Sequence, residues 1–195
     1  MASKSELRAR ALERRDATGP DFRSRASAVI AARVVALLAG FAPRSLAAYV
    51  AMRSEVDPAA IVAAARDRGI AVGLPVVLPE GGLAFLRHEA DDPLHPGGFG
   101  TSVPAAHAVP VEPEVIIVPL VGFDRSGTRI GYGKAHYDRT IARLRARGLA
   151  PVLIGVAFSA QEVDTIPHEP HDVRLDLIVT ETEILDFRTQ GAGPR

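Results

Sequence analysis

Apolar and polar positions follow two periods along this chain, and each period predicts a different element. Short runs rich in Val, Ile, Leu and Phe read as strands: "SLAAYV" (45–50), "IAVGLPVVL" (70–78), "LAFLRH" (83–88), "VIIVPLVGF" (115–123), "PVLIGVAF" (151–158) and "LDLIVT" (175–180). The run at 115–123 is apolar without alternation, as expected of a strand covered on both faces. Helical spacing fills the gaps. Ser3-Lys4-Ser5-Glu6 has the form of a capping box and predicts a helix start at Ser3. A second helix is predicted from Asp21 to Leu38, stopping at Gly40. A third follows Asp57-Pro58, an N-cap with proline at the first helical position, and runs through "AAIVAAARDRG" to Gly69. A fourth ends near Arg147. Strands that alternate with helices predict one α/β domain over 1–187, a three-layer sandwich with a mostly parallel sheet. The tail 188–195 is expected to be flexible.

Composition narrows the function classes. The 195 residues hold 47% apolar and 24% charged side chains, which is globular chemistry. Lys plus Arg equals Asp plus Glu at 23 each, so charge exerts no general pull towards nucleic acid or an anionic membrane, and any anion site must be local. Cysteine is absent, which excludes disulfides and thiolate metal sites and suits a reducing cytosol. "MASKSELRARALERR" lacks the apolar core of a secretory signal. The most apolar window, 26–42, is short for a bilayer span and carries Arg33, so a buried amphipathic helix is expected there.

The densest chemistry lies in "GTRIGYGKAHYDR" (127–139), between the 115–123 strand and the fourth helix. Open α/β sheets bind ligands where loops leave the carboxyl ends of strands. Gly131 and Gly133 allow close backbone approach, and the helix start adds free N–H donors and a positive dipole end. Lys134 offers a mobile point charge and Arg129 a planar fork for phosphate oxygens. Asp138, one turn after Lys134, offers a hard oxygen of the kind that shares magnesium with substrate phosphates. The loop is neither G-x-x-x-x-G-K-[ST] nor G-x-G-x-x-G, since His136 takes the third glycine's place. Phosphate binding and a glycine turn with solvated charges both fit the pattern alone.

Other candidates are weaker one by one. Lys4 and Arg8 share a helix face that by itself reads as solvated. "HEPHD" (168–172) is interrupted by Pro170 and does not give zinc spacing. Asp172 and Asp176 beside a strand start fit ordinary loop hydrogen bonding. Glu55 follows a strand in "YVAMRSEVD". Phe99 in "GGFGTSVP" is either an aromatic wall for a flat ligand or an anchor for its own loop. The Pro/Gly/His-rich stretch 89–113 is long enough to suggest a functional loop.

Taken in order, these segments resemble the 5-formyltetrahydrofolate cyclo-ligases. "VPLVGFDRSGTRIGYGKAHYDR" is similar to that family's signature, and "KSELR" at 4–8, "YVAMRSEVDPAAIV", "GLPVV", "FGTSVP" and "LIGVAFSAQEVDTIPHEPHDVRLDLIVTE" follow in the family's order. The resemblance spans Lys4 to about Glu183. It implies a Rossmann-like fold and conversion of 5-formyltetrahydrofolate and ATP to 5,10-methenyltetrahydrofolate, ADP and phosphate. It implies ATP contacts at Lys4, Arg8, Arg129, Gly131, Gly133, Lys134 and Tyr137, with Lys134 and Arg129 acting on the transferred phosphoryl group. Magnesium would rest on Asp138 and Asp172. The folate would meet Val50, Glu55, Phe99, Tyr132, Ala135 and His136. Ala135 stands at a usual glycine, His136 at a usual aromatic, and Val103 where an acidic or amide residue commonly precedes the proline. A cytoplasmic monomer is expected, with no nucleic-acid or membrane partner. A non-catalytic folate- or nucleotide-binding paralogue, or a ligase acting on another amide, are the alternatives.

Overall fold

The computed structural model describes residues 2–169 and 172–188, with the Phe99 side chain outside the described set. Helix α1 is Lys4–Asp16, and its capping box forms as predicted: the Ser3 hydroxyl accepts from Glu6 N–H while Glu6 accepts from Ser3 N–H at 2.7 Å. Helix α2 (Pro20–Phe41) precedes strand β1 (Ser45–Ala47), α3 (Ala59–Asp67), and the hairpin β2 (Ala71–Val77) and β3 (Leu83–Arg87). A small ribbon pairs β4 (His95–Pro96) with β5 (Ser102–Val103). Then come β6 (Val115–Pro119), a second ribbon of β7 (Gly122–Phe123) and β8 (Arg129–Ile130), and α4 (His136–Ala146). The chain finishes with β9 (Val152–Val156), β10 (Leu177–Val179) and β11 (Ile184–Asp186).

The seven-stranded sheet runs β11-β10-β9-β6-β1-β2-β3. Its five middle strands are parallel, and both edge pairs, β2–β3 and β10–β11, are antiparallel. Apolar strands without alternation need cover on both faces, and two separate cores supply it. Ile30, Val34 and Leu38 of α2 and Ile61 and Ala65 of α3 pack with Leu46, Ile117 and Ile154 on one face. Ile141 and Leu144 of α4 pack with Ile116, Val118 and Leu153 on the other. The predicted three-layer α/β sandwich is therefore the observed one. Helix α1 closes the end of the sheet, where Leu7 and Ala11 join Val121, Ile130, Val163 and Ile166 in a third small core.

Several boundaries differ from the sequence expectation. Gly40 does not stop α2; the helix continues to Phe41, and Ala42 takes the left-handed cap at φ 45°. The helix is 22 residues long, and by length and composition it is apolar enough to cross a bilayer, so shortness does not exclude a span. What marks it as a core helix is its buried face and Arg33, which donates to the carbonyls of Thr180 (3.1 Å) and Thr182 (3.0 Å). Pro58 is the cap of α3 rather than its first residue, while Asp57 Oδ1 still accepts from Ala59 N–H at 2.9 Å. The 115–123 run splits at Pro119, and its last two residues belong to the β7–β8 ribbon.

Candidate active site

Strands β1 and β6 are neighbours, yet the chain leaves them in opposite directions. From β1 it crosses through α3 to β2; from β6 it crosses through α4 to β9 on the other side. Such a switch point opens a crevice at the carboxyl ends of the two strands. The loop leaving β1 holds Glu55. The segment leaving β6 holds the glycine-rich loop and ends at α4. Both candidate halves of the site thus belong to one crevice by topology.

At the glycine loop, the candidate phosphate side, α1 lies close by. Arg8 Nε donates to the Gly131 carbonyl at 2.8 Å, and its guanidinium lies so near Gly133 that a Cβ there would sit 3.4 Å from it. Gly133 has φ +88°, which only glycine adopts freely, while a Cβ on Gly131 would meet open space. Lys134 is exposed at the loop tip. Lys4 Nζ reaches Asp172 Oδ2 at 2.7 Å and Glu169 Oε1 at 3.2 Å. Partial burial draws the Lys4 ammonium down, but the bonds to Asp172 and Glu169 outweigh it and raise the group above its ordinary value.

Arg129 is nearly enclosed. It donates to Asp138 Oδ1 at 2.7 Å and to the Val173 carbonyl, and Val173 N–H donates back to the same Asp138 oxygen at 3.1 Å. This clasp ties the residue after Asp172 to the first turn of α4. Asp138 Oδ2 takes no part in the clasp. One or two carboxylates beside a phosphate-binding loop are the donor set that a phosphate-bound magnesium uses, and the residues fit that ion. No group of three or more acidic, His or Cys side chains fit to hold a metal occurs among the described residues.

Ala135, at the N-terminus of α4, adopts φ 51°, the left-handed conformation of a glycine. His136 Nδ1 accepts from Gly82 N–H at 3.3 Å, tying the β2–β3 hairpin tip to the helix, and Thr140 repeats the tie to Leu83 N–H at 2.7 Å. Burial and the nearby Arg139 and Lys134 charges lower the imidazole's affinity for a proton. Tyr137 packs against the α4-side core, which pushes its phenol up.

The folate-side candidates separate. Glu55 is 8% exposed, accepts from Met52 N–H at 2.9 Å, and lines a groove of about 390 Å³ together with Arg23, Ser27 and Asp57. Burial raises its carboxyl; Met52 N–H, Arg15 and Tyr132 act against that rise. Tyr132, from the glycine loop, is therefore brought to Glu55. Val50 is partly buried and packs against the α2–α3 core. Phe99 belongs to a 3₁₀ turn between β4 and β5, and its side chain lies outside the described residues. Pro170 and His171 of "HEPHD" lie outside them too. Arg15 was not singled out by sequence, although it follows Arg8 by seven positions and so falls on the same helix stripe as Ala11. It is wholly buried beside Tyr132 and Ser54.

Comparison with known proteins now decides the family. The model of the 5-formyltetrahydrofolate cyclo-ligase family matches residues 1–181. The chain belongs to this family of enzymes. It is 32% identical over 143 residues to the 5-formyltetrahydrofolate cyclo-ligase of Haemophilus influenzae, covering 70% of this chain and 75% of that protein. It is 28% identical over 181 residues to the Escherichia coli K12 enzyme of the same name, covering 90% and 98%. The structure of a 5,10-methenyltetrahydrofolate synthetase from Aquifex aeolicus superposes with TM-score 0.79 at 29% identity, over 95% of this chain and 93% of that one. That from Mycoplasma pneumoniae gives 0.75 at 25% identity, over 92% and 99%.

Proposed function

We propose that this chain catalyses the ATP-dependent cyclisation of 5-formyltetrahydrofolate to 5,10-methenyltetrahydrofolate, acting in the cytoplasm as a monomer. The observation that carries the reading is the crevice itself. Glu55 and Tyr132 approach each other from the loops after β1 and β6, and the same glycine loop carries Lys134 and backs onto Arg8. Both substrates meet on residues of one chain, and a cysteine-free sequence suits a reducing compartment.

The residues fit each requirement of the reaction. A formamide oxygen is a poor leaving group, so the γ-phosphoryl of ATP is transferred to it. N10 of the folate then attacks the formyl carbon and loses its proton, and the C–O bond breaks with departure of phosphate. Transfer of this kind needs positioning and charge neutralisation rather than a covalent enzyme nucleophile. Lys134 stands at the loop tip to meet the transferring group, Gly131 and Gly133 let the phosphates approach the backbone, and Lys4 and Arg8 hold the tail. Arg129 fixes Asp138, and a phosphate contact from its fork requires exchange of the Asp138 or Val173 bond. Magnesium, held by Asp138 and Asp172, would supply further neutralisation of phosphate charge. Glu55 accepts from N–H groups of the pterin, beside the Tyr132 ring.

The test is purified protein with 5-formyltetrahydrofolate and Mg-ATP, followed by the near-UV absorbance of methenyltetrahydrofolate. ATP-dependent product is the expected result. Tight folate binding without turnover would instead make the chain a binding paralogue.

A further inference from the structure

The buried guanidinium of Arg15 is unused by the reaction as proposed, and its surroundings are unusual. Its side chain is 0% exposed, and the nearest carboxylate, Asp16, is a half-open partner at 3.8 Å. Nε donates to Ser54 Oγ at 3.0 Å and Nη2 to the Tyr132 hydroxyl at 2.9 Å, while buried Nη1 has no hydrogen-bond partner among the described residues. Ser54 Oγ donates in turn to Asp16 and the Tyr132 hydroxyl is bonded to Glu55, so a hydroxyl stands between the buried cation and each carboxylate, and the cation is stable only while both hydroxyls stay in place. Ser54 precedes Glu55 on the β1 loop, and Tyr132 belongs to the glycine loop, so the fork of Arg15 spans the switch-point crevice. Its guanidinium carbon also lies 5.9 Å from the centre of the Tyr132 ring.

We propose that Arg15 is a positioning residue: it fastens the Glu55 loop to Tyr132, and so holds the folate half of the site in register with the phosphate half. The inference rests on the folate reading given above. Electrostatics act in the same direction. Burial raises the Glu55 carboxyl, whereas Met52 N–H, Arg15, Tyr132 and Arg53 favour its ionised form. The phenols of Tyr49 and Tyr137 also face that charge, and Arg23 and Asp57 share its groove. Without Arg15, Glu55 takes up a proton at higher pH and loses its grip on N–H donors.

The experiment measures binding of 5-formyltetrahydrofolate, without ATP, across pH for wild type, Arg15→Met, Arg15→Lys and Tyr132→Phe. Methionine fills the same buried channel, and replacing a buried ion by an apolar group of similar size is often neutral for folding. Arg15→Met is expected to weaken binding about tenfold at neutral pH, the scale of a lost charged hydrogen bond, and to move the acid limb to higher pH. Arg15→Lys should return the limb towards wild type, and Tyr132→Phe should weaken binding less than Arg15→Met. ATP affinity should be unchanged in Arg15→Lys. Wild-type binding with an unmoved limb and affinity in Arg15→Met overturns this inference alone. Wild-type protein that neither binds nor converts the folate overturns the folate reading, and this inference with it.

Discussion

On the proposed phosphate side of the crevice, the partly buried pairs Lys4–Asp172 and Arg129–Asp138 are each neutralised through a side-chain bond of 2.7 Å. On the proposed folate side, Arg15 and Glu55 are buried at 0% and 8% exposure and are held by hydroxyls and a backbone N–H. The first arrangement is made of pairs that a phosphate group can enter by exchange, one anion for another. The second is fixed before any ligand arrives, and its charges are costly unless their neighbours stay in place. On the proposed reading, the contrast makes nucleotide grip a matter of swapping partners and folate grip a matter of preorganisation.

The sharpest way to break that contrast is Lys134→Ala. The residue is exposed, so the fold should survive, while turnover should fall by about a hundredfold or more, the scale seen when one transition-state donor is removed. Steady-state rates at saturating substrates check this, and an unchanged rate removes Lys134 from the transfer step. Glu55→Gln comes next. Folate binding should weaken about thirtyfold while ATP binding is kept, because a charged acceptor is lost on one side only. The pH dependence of the wild type follows from the same group. Its carboxyl is raised by burial, so folate binding should decline as the solution is acidified through a range above that of an ordinary glutamate. A limb in the usual glutamate range would remove burial as the controlling factor.

Asp138→Asn separates the carboxylate's structural bond to Arg129 and Val173 from its proposed magnesium role. It should raise the magnesium needed for half-maximal rate, and by loosening the Arg129–Val173 clasp it should cost about 2 kcal/mol, lowering Tm by several degrees. Full stability with unchanged magnesium response would contradict both. The smallest effect is expected at Ala135, whose φ of 51° suits glycine. Ala135→Gly should stabilise the protein by about 1 kcal/mol and raise Tm by roughly 2–4 °C. His136 adds a linked pH test. Its folded-state pKa is depressed, chiefly by burial, so it stabilises the fold above its ordinary range, and that stability is lost as pH falls through the folded value. His136→Gln should flatten this acid-side loss in thermal melts.

Much of the fold was legible because periodicity and caps are local. The Ser3–Glu6 box, the α3 stop at Gly69 and the central apolar runs each announce themselves within a few residues. Three-residue β1 and β10 were caught because they lie inside longer apolar runs, whereas β8 and β11 lack such a run and carry too little pattern to be read. Gly40 misled because packing of α2 outweighs the weak propensity of one glycine. In the site, the loop 127–139 stood out through glycines beside charges of both signs. Arg15 did not, being one of four arginines in α1, because burial on the inner stripe is a tertiary fact. Likewise, nothing local showed that Arg129 holds Asp138 and a distant carbonyl.

The central claim is that the formyl oxygen leaves as part of phosphate after receiving the γ-phosphoryl group of ATP. Turnover of 5-formyltetrahydrofolate carrying heavy oxygen in its formyl group, with mass analysis of the released phosphate, tests it directly. One labelled oxygen per phosphate is predicted. Methenyltetrahydrofolate formed with the label in water and none in phosphate would contradict the account.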